Sequence, residues 1–98
     1  AVVEPSWTDF HVAYRVGSRH RLDRGAAGRA ILAARTGGET VVVSDGELQA
    51  GAQGVAAALT GLPVIEASVG VVALSALDVA TVGPRVRAAA DAVAVALR

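Results

Sequence analysis

A junction between an alternating strand pattern and a helix of small residues constrains the fold of this chain more than any other stretch. The strand pattern ends at Gly17, and the helical pattern begins near Asp23, a residue type that caps helix N-termini well. Gly28 lets the helix lie close to a sheet, and Gly37-Gly38 should end it. The spacing of three, one and three predicts one buried helix face, made of Ala27, Ala30, Ile31 and Ala34.

The length and the composition predict a single globular domain over residues 1–98. Hydrophobic residues make up 53% of the chain, and nine basic residues balance nine acidic ones, which excludes a disordered chain or a strongly basic nucleic-acid binder. The apolar content is mostly Ala and Val, so the core consists of small side chains. Cysteine is absent, which excludes disulfides, thiol nucleophiles and cysteine-based zinc sites.

Two strands are expected before the first helix. Ala1–Val3 reads as a short strand, and a loop containing Pro5 follows it. The alternation of Phe10, Val12, Tyr14 and Val16 with more polar residues predicts a half-buried antiparallel strand. Trp7, Phe10 and Tyr14 are the only aromatic residues, and they serve either as core packing or as a ligand or partner surface.

Three further strands and a helix are expected after Gly38. The strands are Thr40–Ser44, Gly51–Leu59 and Val64–Ser75, and the last should be central because both its faces are apolar. The closing helix should begin near Thr81, with an apolar stripe of Val82, Val86, Ala89, Val93 and Leu97. The expected order is therefore β-β-α-β-β-β-α, which belongs to the α+β class.

The residues around the first helix also carry a family resemblance. Eight residues resemble the motif G-x-x-x-P-L-x-x-x-A-x-G-K/R-A-x-L-A of the effector-binding domain of IclR-type transcriptional regulators: Gly17, Leu22, Ala26, Gly28, Arg29, Ala30, Leu32 and Ala33. Arg21 stands where the family usually has proline, and Asp23 where it often has histidine. The resemblance implies a GAF-like antiparallel sheet of about five strands with two helices.

Later segments extend the resemblance over most of the chain. Ser44–Leu48 followed by Gly51 and Val55–Leu59 is similar to the family segment g-E-x-x-x-G-x-x-x-[IV]-A-[AG]-P-V, with Ala58 in place of proline. Ala73–Ser75 resembles the A-[LI]-S strand that follows it. In the family, a small organic acid or aromatic effector lies over the sheet. The resemblance assigns five residues to ligand binding: Ala26, Ala27, Ser44, Gly54 and Ser75. Tyr14, from the aromatic group, is a sixth candidate.

The resemblance predicts a sensing domain of a cytoplasmic bacterial regulator that contacts DNA only through a separate helix-turn-helix domain outside this chain. Homodimers or higher homo-oligomers are expected, and Ala88, Ala92 and Ala96 offer a smooth helix face for close contact. Only Thr36–Glu39 stands where the family has a longer insertion over its pocket, and Leu77 replaces a second serine. The alternative is therefore a degenerate interaction module that binds no ligand.

Other chemistries find little support in the sequence. Ser18, His20 and Asp23 lie too close in one turn for triad geometry, so no enzyme is predicted. His11 and His20 form no metal-ligand set, and neither metal nor cofactor is expected. An arginine cluster indicates either an anion-binding patch or, more simply, a solvated face with local ion pairs: Arg15, Arg19, Arg21, Arg24 and Arg29. No apolar run is long enough to span a membrane.

Overall fold

A three-stranded antiparallel sheet lies between two helices. The structure is a computed structural model that describes residues 1–3, 16–38 and 40–98. In chain order its elements are helix α1 (Ala26–Arg35), strands β1 (Val42–Asp45), β2 (Gln53–Ala58) and β3 (Ser68–Ala73), and helix α2 (Val79–Leu97). The strands are ordered β1-β2-β3, so β2 pairs with both neighbours.

The prediction of about five strands in the order β-β-α-β-β-β-α is wrong, because the described residues form three strands in the order α-β-β-β-α. Ala1–Val3 adopts no regular structure, and Val3 is almost fully exposed, so no burial stabilises a strand there. The strand predicted to end at Val16 lies outside the described residues except for Val16 itself, which is in a turn. The two helices and the α+β class are present as expected.

The central strand is β2, whereas the sequence favoured Val64–Ser75. All residues from Gly54 to Leu59 are buried, and alternate side chains face the two helices. Ala56 and Ala58 pack with α1, while Val55, Ala57 and Leu59 pack with α2. Alanine and glycine are poor strand formers, but their size lets two helices approach one strand closely, so packing overrides propensity.

Strand β3 is shorter and more exposed than predicted. It begins at Ser68, and residues 64–67 form no strand. Val64 is almost fully exposed. Within the described part of the chain β3 pairs on one edge only, with Val55 opposite Val71 and Gly54 opposite Val72. Val71 and Val72 therefore keep 40% and 42% of their surface exposed, which contradicts the expectation that both faces are covered.

Of the buried face predicted for helix α1, only Ala30 is buried, and Ile31 is half-buried. Ala26 and Ala30 are buried and Ala33 packs beside them, whereas Ala27 and Ala34 are exposed. The difference arises because an alanine-rich helix has little contrast between its faces, so the sheet selects the face. The helix ends at Arg35 before Gly37-Gly38, which confirms the predicted end.

The start of α1 is set by a glycine. Its N-cap is Gly25, with φ +85°, and Asp23 does not cap it. Both oxygens of the Asp23 carboxylate instead accept hydrogen bonds from the Arg21 guanidinium, at 3.0 and 2.7 Å. Gly28 does make a close approach, although to the preceding loop and not to the sheet: a Cβ there would lie 2.5 Å from the Leu22 carbonyl oxygen.

Helix α2 begins at Val79, two residues before the predicted start, with Pro84 in its first turns. Its buried positions are Gly83, Val86, Ala90 and Ala94, so of the predicted stripe only Val86 is buried, and Ala89, Val93 and Leu97 are exposed. The sheet supplies Val55 and Leu59 as bulk on this side, and small helix residues fit against them. No helix in the described ranges has the length and apolarity needed to cross a bilayer.

Arg87 fastens α2 to the sheet. Its guanidinium donates hydrogen bonds to the backbone carbonyls of Ala58, at 2.6 Å, and Thr40, at 3.1 Å. The same group pairs with the Asp91 carboxylate one helical turn away, at 2.7 Å. The Arg87 side chain is mostly shielded from solvent, so these bonds hold α2 in place next to the start of β1 and the end of β2.

Candidate functional site

A cavity of about 140 Å³ lies between the N-terminus of α1 and the sheet. It is partly open to solvent, and its wall is more apolar than polar. Its floor comes from β2 and β3, its roof from the start of α1, and one side from the connection between β1 and β2. A cavity of similar size, about 150 Å³, holds benzene, so this space suits a small organic molecule.

The cavity exists because small residues meet where α1 crosses the sheet. Gly54, Ala56 and Gly70 form its floor, and Ala26 and Ala27 its roof. A Cβ at position 54 would lie 2.9 Å from the Ser44 hydroxyl oxygen and 3.5 Å from the Ala26 Cβ, so a side chain at Gly54 would project into this space. The volume is therefore set by the absence of side-chain atoms and not by a distortion of the backbone.

Ser44 supplies a polar group to the cavity wall. It lies on β1 directly opposite Gly54, with its side chain over that residue. In the part of the chain that the structure describes, no hydrogen bond satisfies the Ser44 hydroxyl. The hydroxyl is therefore available as a donor or an acceptor to a molecule in the cavity.

Glu47 connects the cavity wall to α1. One carboxylate oxygen, Oε1, accepts a hydrogen bond from the Gly25 N–H at 3.0 Å, and the other, Oε2, pairs with the Arg29 guanidinium. Arg29 also donates to the Val43 carbonyl at 3.3 Å, and Arg24 donates to the Glu47 carbonyl at 2.5 Å. These bonds hold the start of α1 against β1 and the connection that follows it.

The first turn of α1 begins in the cavity wall, at Gly25, Ala26 and Ala27. Gly25 makes no side-chain cap, and the amides of Ala26, Ala27 and Gly28 find no acceptor among the described residues. Amides of this kind carry the positive end of the helix dipole. The nearby Glu47 carboxylate supplies the negative charge that compensates it.

Four of the six residues predicted to bind a ligand come together around this cavity: Ala26, Ala27, Ser44 and Gly54. Their role in binding stays a prediction. Ser75 does not line the cavity and is exposed two residues beyond the end of β3. Tyr14 lies outside the described residues.

Sequence reasoning missed several cavity residues. Glu47 entered the sequence analysis only as part of a motif, although it is an acidic residue two positions after the end of β1. Gly70 and Val72 were missed because the sequence did not reveal the pairing of β3 with β2, which places them on the same face as Gly54. Ser18 and His20 also line the cavity, ahead of α1.

The geometry offers no catalytic triad in the described segments. Ser18 and His20 share the cavity wall, but the Asp23 carboxylate is paired with Arg21. No cluster of three histidine, cysteine or acidic residues within the described ranges suits a metal ion. Of the predicted arginine cluster, Arg21, Arg24 and Arg29 each bond within the protein, which fits the local-pairing interpretation.

A second, more open cavity of about 210 Å³ lies at the other end of α1. Its apolar wall includes Ile31, Leu62 and Ile65, and an exposed ion pair between Arg35 and Glu66 borders it, with N···O distances of 2.7 and 2.8 Å. The hydrogen bonds from Arg35, together with its positive charge, lower the pKa of Glu66. The two charged groups that border this cavity are therefore already paired with each other.

Comparisons of the chain with protein-family models, with curated proteins and with solved structures found no match.

Proposed function

We propose that this chain is the ligand-sensing and self-association domain of an IclR-type bacterial transcriptional regulator, and that the cavity under α1 binds its small organic effector. The observation that supports the proposal most directly is the position of Ala26, Ala27, Ser44 and Gly54. The family motif selects these residues from separate parts of the chain, and all four line one cavity of suitable size.

A ligand in this cavity contacts α1 and the sheet at once. If the ligand binds more tightly when α1 is in one position on the sheet than in another, its binding shifts the population toward that position. The size of the shift is set by the difference between the two affinities. In a cytoplasmic regulator of this type, the change reaches DNA through the subunit contacts and a separate DNA-binding domain.

The test is a fragment screen by two-dimensional amide NMR of the whole chain, with neutral, anionic and cationic compounds of benzene size. We expect saturable shifts at the amides of Ala26, Ser44 and Gly54. Gly54→Val should abolish them because its side chain fills the cavity. Gly83→Ala is the matched control, since its Cβ would meet only Val41 and Val79 at ordinary contact distance under α2. The absence of saturable shifts, or shifts that Gly54→Val leaves unchanged, would refute ligand binding here.

The alternative function is an interaction module without a ligand. It is favoured by β3, where Ser68–Ala73 contains neither charged residues nor proline, and by the exposed Val71, Val72 and Leu74 near it. Among the described residues the outer edge of β3 has no partner strand, and uncharged edges of this kind pair readily with other chains. Sedimentation equilibrium without ligand would favour this module if tight dimers form, persist in Gly54→Val and dissociate in Val71→Lys.

A further inference from the structure

We propose that Glu47 makes the cavity under α1 select neutral ligands over carboxylates. This inference rests on the proposed ligand binding and names the chemical class of the ligand. It runs against the expectation of an organic acid, which follows from the family resemblance and from the usual attraction between anions and helix N-termini.

The carboxylate of Glu47 already binds one of the backbone amides at the start of α1, where an anionic ligand would be attracted. Its Oε1 accepts the hydrogen bond from the Gly25 N–H at the helix N-cap, at 3.0 Å. A negative charge beside the positive end of the helix dipole is the stabilising arrangement. Because the protein supplies this charge itself, an incoming carboxylate gains little from the dipole.

The other described lining residues do not compensate for a second negative charge. Apart from His20, Glu47 is the only one of them with an ionisable side chain. Arg29 pairs with Glu47 and the Val43 carbonyl, and it is not part of the wall. Among the described lining residues a ligand carboxylate would therefore meet an acidic group and, apart from His20, no side chain that can carry a positive charge. Like charges placed together in an interface oppose binding.

The polar groups of the wall suit a neutral ligand with a donor next to an acceptor. Each Glu47 carboxylate oxygen has one bond within the protein and retains capacity to accept another. The Ser44 hydroxyl can donate to the ligand, and Gly54 and Gly70 provide a flat apolar floor. A small primary amide on an aromatic ring has this combination of groups and the right size.

The experiment compares benzamide with benzoate, which have nearly the same shape and differ in charge. Their dissociation constants are measured by amide NMR titration of the wild-type chain, of Glu47→Gln and of Glu66→Gln. We expect the wild type to bind benzamide at least about tenfold more tightly than benzoate, and Glu47→Gln to remove most of this preference. Glu66→Gln is the matched control, because Glu66 also pairs with an arginine but does not line this cavity.

A second measurement uses the wild type alone and so does not depend on the folding of Glu47→Gln. Raising the salt concentration should strengthen benzoate binding relative to benzamide, since salt screens the repulsion. Benzoate binding as tightly as benzamide to the wild type, or a preference that Glu47→Gln leaves unchanged, would overturn the selection by Glu47 while the proposed ligand binding stands. If neither probe nor any fragment of the earlier screen binds, the proposed function fails and this inference with it.

Discussion

The two faces of β2 are built from alternate residues of one strand and differ in how completely they are filled. On the α2 face, Val55 and Leu59 pack with Val86 and the small residues of α2 in one core cluster. On the α1 face, Gly54 and Ala56 meet Ala26, and a cavity remains. A strand that is buried on both sides can therefore serve stability with one face and leave space for a ligand on the other.

The difference lies in the volume of the side chains and not in the hydrogen bonding of the sheet. Both faces share the same ladders between β2 and its neighbours. A smaller side chain on the α2 face should therefore lower the free energy of unfolding strongly. A larger side chain should be tolerated only on the α1 face. The following substitutions test this contrast in order of expected effect.

Val55→Ala should have the largest effect, because Val55 is the largest fully buried side chain among the residues that the structure describes. We expect a loss of about 2–3 kcal/mol in the free energy of unfolding, from lost burial and from the cavity left behind. Val72→Ala is the control, since Val72 is 42% exposed on β3. Urea denaturation monitored by circular dichroism measures both, and equal losses would contradict the contrast.

Ala57→Leu should destabilise the protein by about 2 kcal/mol, because Ala57 is fully buried between β2 and α2 and the new atoms have no space. Gly54→Ala, on the opposite face, should change the free energy of unfolding by less than about 0.5 kcal/mol. Its Cβ approaches only the rotatable Ser44 hydroxyl closely, and Gly54 has no positive φ. A larger cost for Gly54→Ala than for Ala57→Leu would show that the α1 face is the tightly packed one.

Glu47→Ala should cost about 1 kcal/mol, since it removes the partners of Arg29 and of the Gly25 N–H at a partly exposed site. The effect should appear as faster amide hydrogen exchange in α1, with little change in α2. Uniform acceleration in both helices would show that Glu47 does not act on α1 specifically.

The exposed pair of Arg35 and Glu66 should have the smallest effect. Because the pKa of Glu66 is lowered in the folded state, its contribution is present above the ordinary glutamate pKa and is lost as the pH falls through the lowered value. The unfolding midpoints of the wild type and Glu66→Gln should therefore differ only slightly at neutral pH and converge in acid. A difference that grows below pH 4 would contradict this sign.

Local sequence patterns located the two helices and strands β1 and β2 to within a few residues, and they placed β3 inside a longer predicted strand. The Val-rich stretch before Ser44 became β1, and the glycine pair after Arg35 ended α1. The same patterns misjudged which strand is central and which helix faces are buried, because Ala26 and Ala27 look alike until the sheet is in place. Such assignments depend on contacts between distant segments, which periodicity does not encode.

Part of the candidate site was predictable from the sequence, and part was not. The family motif pointed to small residues at the start of α1 and on β1 and β2, and these residues line the cavity. The role of Glu47 was not predictable, because its partners Gly25 and Arg29 precede it by 22 and 18 residues. A spacing of this length follows no helical or strand period.

The close packing of Gly28 on Leu22 has a consequence for the wall of the cavity. The segment that contains Ser18 and His20 leads to Leu22, whose carbonyl oxygen lies 2.5 Å from the place of a Cβ on residue 28. A methyl group in place of one hydrogen atom of Gly28 would therefore force Leu22 or the start of α1 to move, and the cavity wall next to them would change with it. The shape of a binding space thus depends on a residue that is not among those that line it.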